Sequence, residues 1–336
     1  MDKHRSPSPA VSTLNRRRTG AIALLAGMLA CGTAAWAQVP GAYPGKSIRM
    51  VIPFTPGGSA DILGRAMGHE LTKAWGQSVV PENVAGAGGS IGADRVAKAA
   101  GDGYTLLMGH VGTLAITPSL YPKLPYDPVR SFTPIAWVAR VPNALVVHPA
   151  LPVTDLPSFI AYAKAHPDQI NYSSGGNGSA AHMTMSYLAQ QTGVRMQHVP
   201  YKGTAPAVND LVAGQVQALF TGIPAVLAQL KAGQVKALAV SSPQRVAILP
   251  QVPTVAVPGF EADQWYGIVG PAGMPKAVVE QLNAQINASL QSPAILERLQ
   301  SEGAQPMPSS SQVFGELIAK DLERWRKVIQ DSGMSL

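Results

Sequence analysis

The chain has 336 residues, 46% hydrophobic and 13% charged, with 33 Gly and 29 Pro that follow no repeat. It is long enough for two ordinary domains, too apolar for a disordered chain, and too aperiodic for collagen. Setting aside residues 1–37, which hold five Lys/Arg and one acid, lowers the formal charge from +7 to +3. That mild balance, without an aromatic and basic stripe, gives no ground for a nucleic-acid partner and suits a small anion or an anionic membrane surface.

Chain order begins with Arg16-Arg17-Arg18, the apolar run AIALLAGMLA, and then Ala35-Trp36-Ala37. A basic segment, a short apolar segment and a small-x-small site predict an export signal over 1–37, cleaved after Ala37. The run is too short to span a bilayer. The three arginines leave twin-arginine and general export both open. Cys31 is the only cysteine; it is a poor lipoprotein site because Met28 stands where Leu is usual. The mature chain is therefore expected to have no disulfide, no thiolate chemistry and no cysteine metal site. No H-x-x-x-H pair occurs among the histidines, and neither a metal nor a cofactor is expected.

From Ile48 on, strand and helix patterns alternate. IRMVIPF, SVVPENV and YTLLMGH read as strands. Between them, SADILGRAMGHELTKAW puts Ile62, Leu63, Ala66, Met67, Leu71 and Ala74 on one helical face, with Ser59 as its expected N-cap, and SIGADRVAKAA follows as a second helix. Further strands are expected at ALVVHP, INYSS, MQHVPY, VQALFT and VKALAVS, with helices DLPSFIAYAKAH, SAAHMTMSYLAQQ, APAVNDLVAGQ and PAVLAQLKAG between them. This alternation predicts α/β architecture with mostly parallel sheets, as two doubly wound lobes joined by a hinge. TPIAWVARVPNALVVHP has no helix between its two apolar runs and predicts one crossing between lobes, near 135–147. A second is expected near WYGIVGP, over 255–270. Lobe 1 is then 38–142 with 255–336, and lobe 2 is 143–254. The remainder reads as helices KAVVEQLNAQINASLQ and SQVFGELIAKDLERWRKVIQ. The stripe Phe314, Leu317, Ile318, Leu322, Trp325, Val328 and Ile329 on the latter predicts packing against lobe 1.

Several strand ends carry a glycine-rich turn that feeds a helix. TPGGSAD lies in the first half and GGNGSAAH, from Gly175 to His182, in the second; HVGT and YKGTAP are weaker relatives. In an open α/β sheet, ligands sit at the carboxyl ends of strands. Glycine lets a ligand approach the backbone, and a helix start favours an anion. Two such turns on facing lobes would clamp one small carboxylate. Neither main turn contains Lys or Arg, which favours a carboxylate over a phosphate. Asp61, in a first helical turn, is expected to stabilise that helix start and, second, to shape the Gly57-Gly58 turn. For His182 two roles stay open: a hydrogen bond to a ligand, or satisfaction of its own turn.

Competing motifs are weaker. Gly88-Gly89-Ser90-Ile91-Gly92 matches the G-x-S-x-G nucleophile elbow, but AGAGG separates the strand from Ser90, and no Asp/His pair follows at a suitable place. A serine hydrolase on this scaffold, with Ser90 or Ser179 as nucleophile, is the main alternative. Gly45-Lys46-Ser47 lacks the earlier P-loop glycine, where Pro40 stands.

YPGKSIRMVIPFTPGGSADILGR, ENVAGAGGSIGADRVAKAAGDGYTLLMG, KLPYDPVRSFTPIA, YSSGGNGSAAH, HVPYKGTAPAVNDLVAGQV and PAGMPKAVVEQLN together resemble the substrate-binding proteins of tripartite tricarboxylate transporters, the Bug-type family. The resemblance runs from Tyr43 to the C-terminus. It implies a type II-like periplasmic binding protein, a monomeric Venus flytrap that is not an enzyme. Such a protein captures a small organic carboxylate and delivers it to a membrane permease with a large and a small subunit. A ligand sensor docking onto a membrane receptor is a further alternative. Carried over by position, Phe54, Pro56, Gly57, Gly58, Ser59 and Asp61 form the first-lobe part of the site, and Thr113 supplies a hydroxyl. Gly178, Ser179 and His182 face them from the second lobe, with Thr221 nearby. Two departures matter. Thr113 to Pro118 reads T-L-A-I-T-P where family members often have T-H-A-I-N-P. Thr221 stands where many have an acid, which makes an amino-acid ligand less favourable.

Overall fold

The computed structural model describes residues 43–332, apart from 122, 259 and 261. The expected export signal and Cys31 lie outside the described residues. Ile48–Ile52 (β1) is a short strand, apolar and buried except at Arg49, that stops before Pro53. Ser59–Trp75 (α1) follows and buries Leu63, Met67 and Leu71 on the face that meets the sheet. It ends where Gly76 takes the left-handed conformation and donates its N–H to the Thr72 carbonyl. Its N-cap is Gly58, not Ser59: Gly58 is extended and its carbonyl accepts from the Asp61 and Ile62 amides, which leaves Ser59 as the first helical residue.

Val79–Asn83 (β2), Ser90–Ala97 (α2) and Thr105–His110 (β3) complete the opening series. A π-helical turn over Gly112–Ile116 continues into Thr117–Leu120 (α3). Phe132–Val141 (β4) then runs straight into Asn143–Val147 (β5), with Pro142 alone between them. The second series is Leu156–Ala165 (α4), Asn171–Ser174 (β6), Ala180–Thr192 (α5), Gln197–Pro200 (β7), Thr204–Val212 (α6), Ala218–Gly222 (β8), Leu227–Lys231 (α7) and Lys236–Val240 (β9). The chain ends with Gln264–Pro271 (β10), Lys276–Leu290 (α8), Pro293–Ser301 (α9), Gln305–Pro306 (β11) and Ser311–Ser332 (α10).

Two sheets result, in the orders β11-β4-β10-β3-β1-β2 and β7-β6-β8-β5-β9. Among the named strands, parallel pairing joins β1 with β2 and β3, and β6 with β7 and β8. The other pairs are antiparallel, so the sheets are more mixed than the alternating pattern predicts. The reason lies in the connections. A parallel neighbour requires a crossover, usually a helix; β4 and β5 are joined without one and enter different sheets. WYGIVGP, near which the second crossing is expected, belongs to the interior strand β10, buried along its whole length. A helix not foreseen, α9, opens on Ser292, whose hydroxyl accepts from the Ile295 amide.

The stripe on α10 is buried as its spacing predicts. Phe314, Ile318, Trp325 and Ile329 join a core with Leu107, Trp265 and Val269 of the first sheet. Trp325 also meets Tyr187 of α5 edge to face, with ring centroids 6.4 Å apart. Among the described residues, no helix is long and apolar enough to cross a membrane.

Candidate functional site

The carboxyl ends of β1 and β3 meet the amino end of β10. This follows from register: β10 is antiparallel to β3, and Tyr266 lies opposite His110. In the second sheet, the end of β8 meets the start of β5, with Asn143 opposite Gly222. Side chains from these strand ends and from the helices after them enclose a cavity of about 20 Å³, room for about one water. Phe54, Gly58, Ser59, Ala60, His110, Gln264 and Tyr266 line it from the first sheet's side. Ser179, Ala180, Ala181, Thr204 and Thr221 line it from the other.

Two helices start on this cavity. The leading amides of α1, at Ser59 and Ala60, and of α5, at Ala180 and Ala181, have no acceptor within their own helices. With the helix dipoles they favour an anion. Ser179 caps α5, its hydroxyl accepting from the His182 amide at 3.3 Å. Among the described residues, no Asp, Glu, Lys or Arg lines the cavity.

Of the residues expected at the site, Phe54, Gly58, Ser59, Ser179 and Thr221 line the cavity. The others stand around it. Pro56 and Gly57 are exposed in the turn that precedes Gly58. Asp61 is buried behind the turn: one oxygen accepts from the Gly57 amide at 3.0 Å, and the carboxylate also accepts from Arg65 and Asn83. Burial alone would raise its pKa, but the hydrogen bonds from Arg65, Gly57 and Asn83 and the Arg65 charge hold it below the ordinary carboxylate value. Asn83 also donates to the Phe54 carbonyl, so one acid organises the whole turn.

Thr113 is fully buried with its hydroxyl unpartnered, and a Cβ placed on Gly89 would lie 2.5 Å from it, so this hydroxyl faces Gly89. His182 serves its own turn, Nδ1 accepting from the Gly178 amide at 3.2 Å. Its ring stacks on His198 with centroids 3.9 Å apart, and His198 stacks in turn on Tyr172. Burial lowers the His182 pKa to about 4. Burial, with the neighbouring His182, lowers that of His198 to about 3. Thr117, one of the two departures, donates to the Gly178 carbonyl at 3.3 Å and so bonds across between the lobes.

The glycine loops approach the opposite lobe as well as the cavity. A Cβ on Gly88 would lie 2.5 Å from the Asn177 carbonyl oxygen, and a Cβ on Gly203 would overlap Thr55. Ser90, the elbow candidate, donates its hydroxyl proton to the Ala87 carbonyl at 2.8 Å; among the described residues no histidine is bonded to it.

Sequence reading missed His110, Gln264 and Tyr266. His110 stacks on Phe54 with centroids 4.7 Å apart and meets Tyr266 edge to face. Its Nδ1 accepts from the Thr113 amide at 3.2 Å, so the neutral ring carries its proton on Nε2. Burial lowers its pKa to about 4. The HVGT turn was a signal for His110. No turn marks Gln264 or Tyr266, because they begin a strand.

The family model described as "Tripartite tricarboxylate transporter family receptor" matches residues 63–334. Protein BugT of Bordetella pertussis is 37% identical over 298 residues, covering 88% of this chain and 91% of BugT. Among solved structures, Rpa4515 of R. palustris, determined with adipate, has a TM-score of 0.85 at 36% identity, covering 87% of this chain and 99% of that one. MatC of Rhodopseudomonas palustris, with bound malate, has a TM-score of 0.82 at 35% identity, covering 85% and 100%. With two α/β lobes that start helices on a common cavity, and with matches of this extent, the chain belongs to the receptor family of the tripartite tricarboxylate transporters.

Proposed function

We propose that this chain is a periplasmic solute-binding protein. It captures a small organic carboxylate between its lobes and delivers it to a tripartite tricarboxylate-type membrane permease. One observation carries the reading: two helix starts from opposite lobes meet at a cavity lined by hydroxyls, with no charged side chain of its own. An anion supplies the charge that such a site lacks. The adipate and malate held by the two R. palustris relatives are carboxylates of the class proposed.

Each lobe supplies part of the contacts, so the closed form gains only when a ligand bridges them. The lobes move as 38–142 with 255–336 against 143–254, about crossings near 135–147 and 255–270. Phe54, Gly58, Ser59, Ser179 and Thr221 contact the ligand. Pro56, Gly57, Asp61, Thr113, Gly178 and His182 shape the loops that hold it. The protein acts as a monomer, makes and breaks no bond, and reaches the periplasm by a signal over 1–37.

A thermal-shift screen of di- and tricarboxylates, aromatic acids and nicotinate-like acids tests the binding. A true ligand at about 100 times its dissociation constant adds roughly 2.7 kcal/mol to folding stability. No response from any acid overturns the reading. Uptake of the identified acid by cells with and without the permease tests delivery.

A further inference from the structure

Two stacked histidines support the second-lobe loop, and each is linked to one of its glycines. His182 of α5 and His198 of β7 lie face to face, with centroids 3.9 Å apart and planes 11° from parallel. His182 Nδ1 accepts from the Gly178 amide at 3.2 Å. A backbone N–H can only donate, so Nδ1 holds no proton and the neutral ring carries it on Nε2. His198 Nε2 is bonded to the Ser174 hydroxyl at 2.6 Å, and that hydroxyl accepts from the Gly176 amide at 3.1 Å. The Gly178 carbonyl accepts from Thr117 of the other lobe. Gly178 is thus held by His182 through its N–H and by lobe 1 through its carbonyl.

A proton on His182 Nδ1 would meet the Gly178 N–H donor against donor and end that bond. The loop that brings Ser179 and the start of α5 to the cavity would shift, and its contact with Thr117 with it. The groups around the pair offer no charge that would offset this. Tyr172 of β6 stacks on His198 and is hydrogen-bonded to Ser186 of α5. Tyr121 of lobe 1 comes within 3.4 Å of a Cβ placed on Gly178. Tyr201, after β7, donates to Asp210 of α6, which engages that carboxylate. The π-helical turn and β8, which also pack on α5, carry no titratable side chain. Tyr162 and His166, at the end of α4, stack on each other.

We infer that His182, supported by His198 and Ser174, is a positioning residue for the second-lobe loop, and that ligand release is coupled to proton uptake on its ring. This rests on the reading above of a ligand held between the lobes. With the lobes closed, Nδ1 is occupied by the Gly178 amide and refuses a proton. With the lobes apart, the loop has lost Thr117 and can turn the amide away, so the ring accepts one. Acid therefore favours the open form. A bound anion attracts a proton, but Nδ1 can take it only by releasing the loop that borders the anion. The loop's grip and the proton exclude each other.

Calorimetric titration with adipate and with malate at pH 7 and pH 5 tests this on the unaltered protein, His182→Asn and His182→Phe. Asparagine places an acceptor that does not titrate near the Nδ1 position. Phenylalanine keeps a ring for the stack and removes the acceptor. His110 and the acids titrate alike in all three proteins, so a difference between them reports His182. From pH 7 to pH 5 the unaltered protein loses roughly tenfold more affinity than either variant, and one folded variant is enough for the comparison. Hydrogen exchange over 174–182, corrected for the intrinsic rate, reads the loop without ligand. Its protection falls with acid in the unaltered protein, holds in His182→Asn, and is already reduced at pH 7 in His182→Phe. Parallel affinity profiles in the unaltered protein and a folded variant overturn the inference and leave the binding reading standing. So does loop protection that is the same in every protein. If no acid of the screen above binds, the carboxylate reading falls, and the exchange comparison alone decides the role of His182.

Discussion

Asp61 shows how one side chain serves a site that it does not touch. Its sequence position suggests a helix-start acid, and its buried carboxylate does more than that. It holds the Gly57 amide and Asn83, and through Asn83 the Phe54 carbonyl, so the first-lobe turn depends on it. Asp61→Ala leaves those donors without an acceptor and removes the partner of Arg65. Arg65 is half exposed, so solvent screens much of the ion pair and the lost hydrogen bonds dominate. A loss of about 2–3 kcal/mol in unfolding free energy is expected, with weaker ligand binding. Urea unfolding and calorimetry on the variant check both. A variant as stable as the unaltered protein would show that the turn holds itself. Asp61 and Ser59 were legible because they flank a glycine turn. Tyr266 was not, since it reaches the cavity by lying opposite His110 in the sheet, a pairing that sequence spacing does not show.

Among the elements, helices were read more accurately than strand directions. α1 and α5 announce themselves by apolar spacing and by turn residues. β10 does not. It is buried on both faces, so it shows no alternation, and Gly267 in its middle leaves room for the Phe314 ring rather than marking a turn. Its antiparallel course places its first residues at the carboxyl end of β3. A rule that looks for sites only at strand-to-helix turns passes over them. The glycine loops carry a second meaning that was hidden for a similar reason. Gly88 has φ +63° and faces the Asn177 carbonyl of the other lobe, so a side chain there opposes lobe closure. Gly88→Asn keeps a residue that tolerates this φ and adds the obstructing Cβ. Ligand affinity should fall about tenfold, equivalent to about 1.4 kcal/mol. Gly76→Asn is the control: φ is +65°, and nothing lies within 4 Å of the added Cβ. Equal affinities in the two variants would remove closure from the explanation.

Across the whole molecule, the two-lobed α/β plan was legible because strands and helices alternate twice and one helix-free junction separates the series. The mixed strand directions and the buried histidines were not, since both depend on which segments pack together. The histidines set the pH response. His110 lies at the first-lobe wall between Phe54 and Tyr266, with no charged side chain in these ring contacts. His182 and His198 form the second-lobe stack with Tyr172, and His198 is hydrogen-bonded to the Ser174 hydroxyl at 2.6 Å. Burial depresses all three below the ordinary 6.5. As pH falls through 6.5 the unfolded chain takes up protons that the folded protein refuses, so stability must fall. For His110 the loss accumulates between pH 6.5 and about 4 and reaches on the order of 3 kcal/mol. The window lies above the one set by Asp61, whose lowered pKa makes its contribution fade only under stronger acid. Urea unfolding at intervals from pH 7 to 4.5 should therefore show a steady decline. His198→Phe preserves a stacked ring without a titrating group and should flatten part of that decline. A stability unchanged from pH 7 to 5 would mean that these rings gain solvent, or find an acceptor for the added proton, before the lobes unfold.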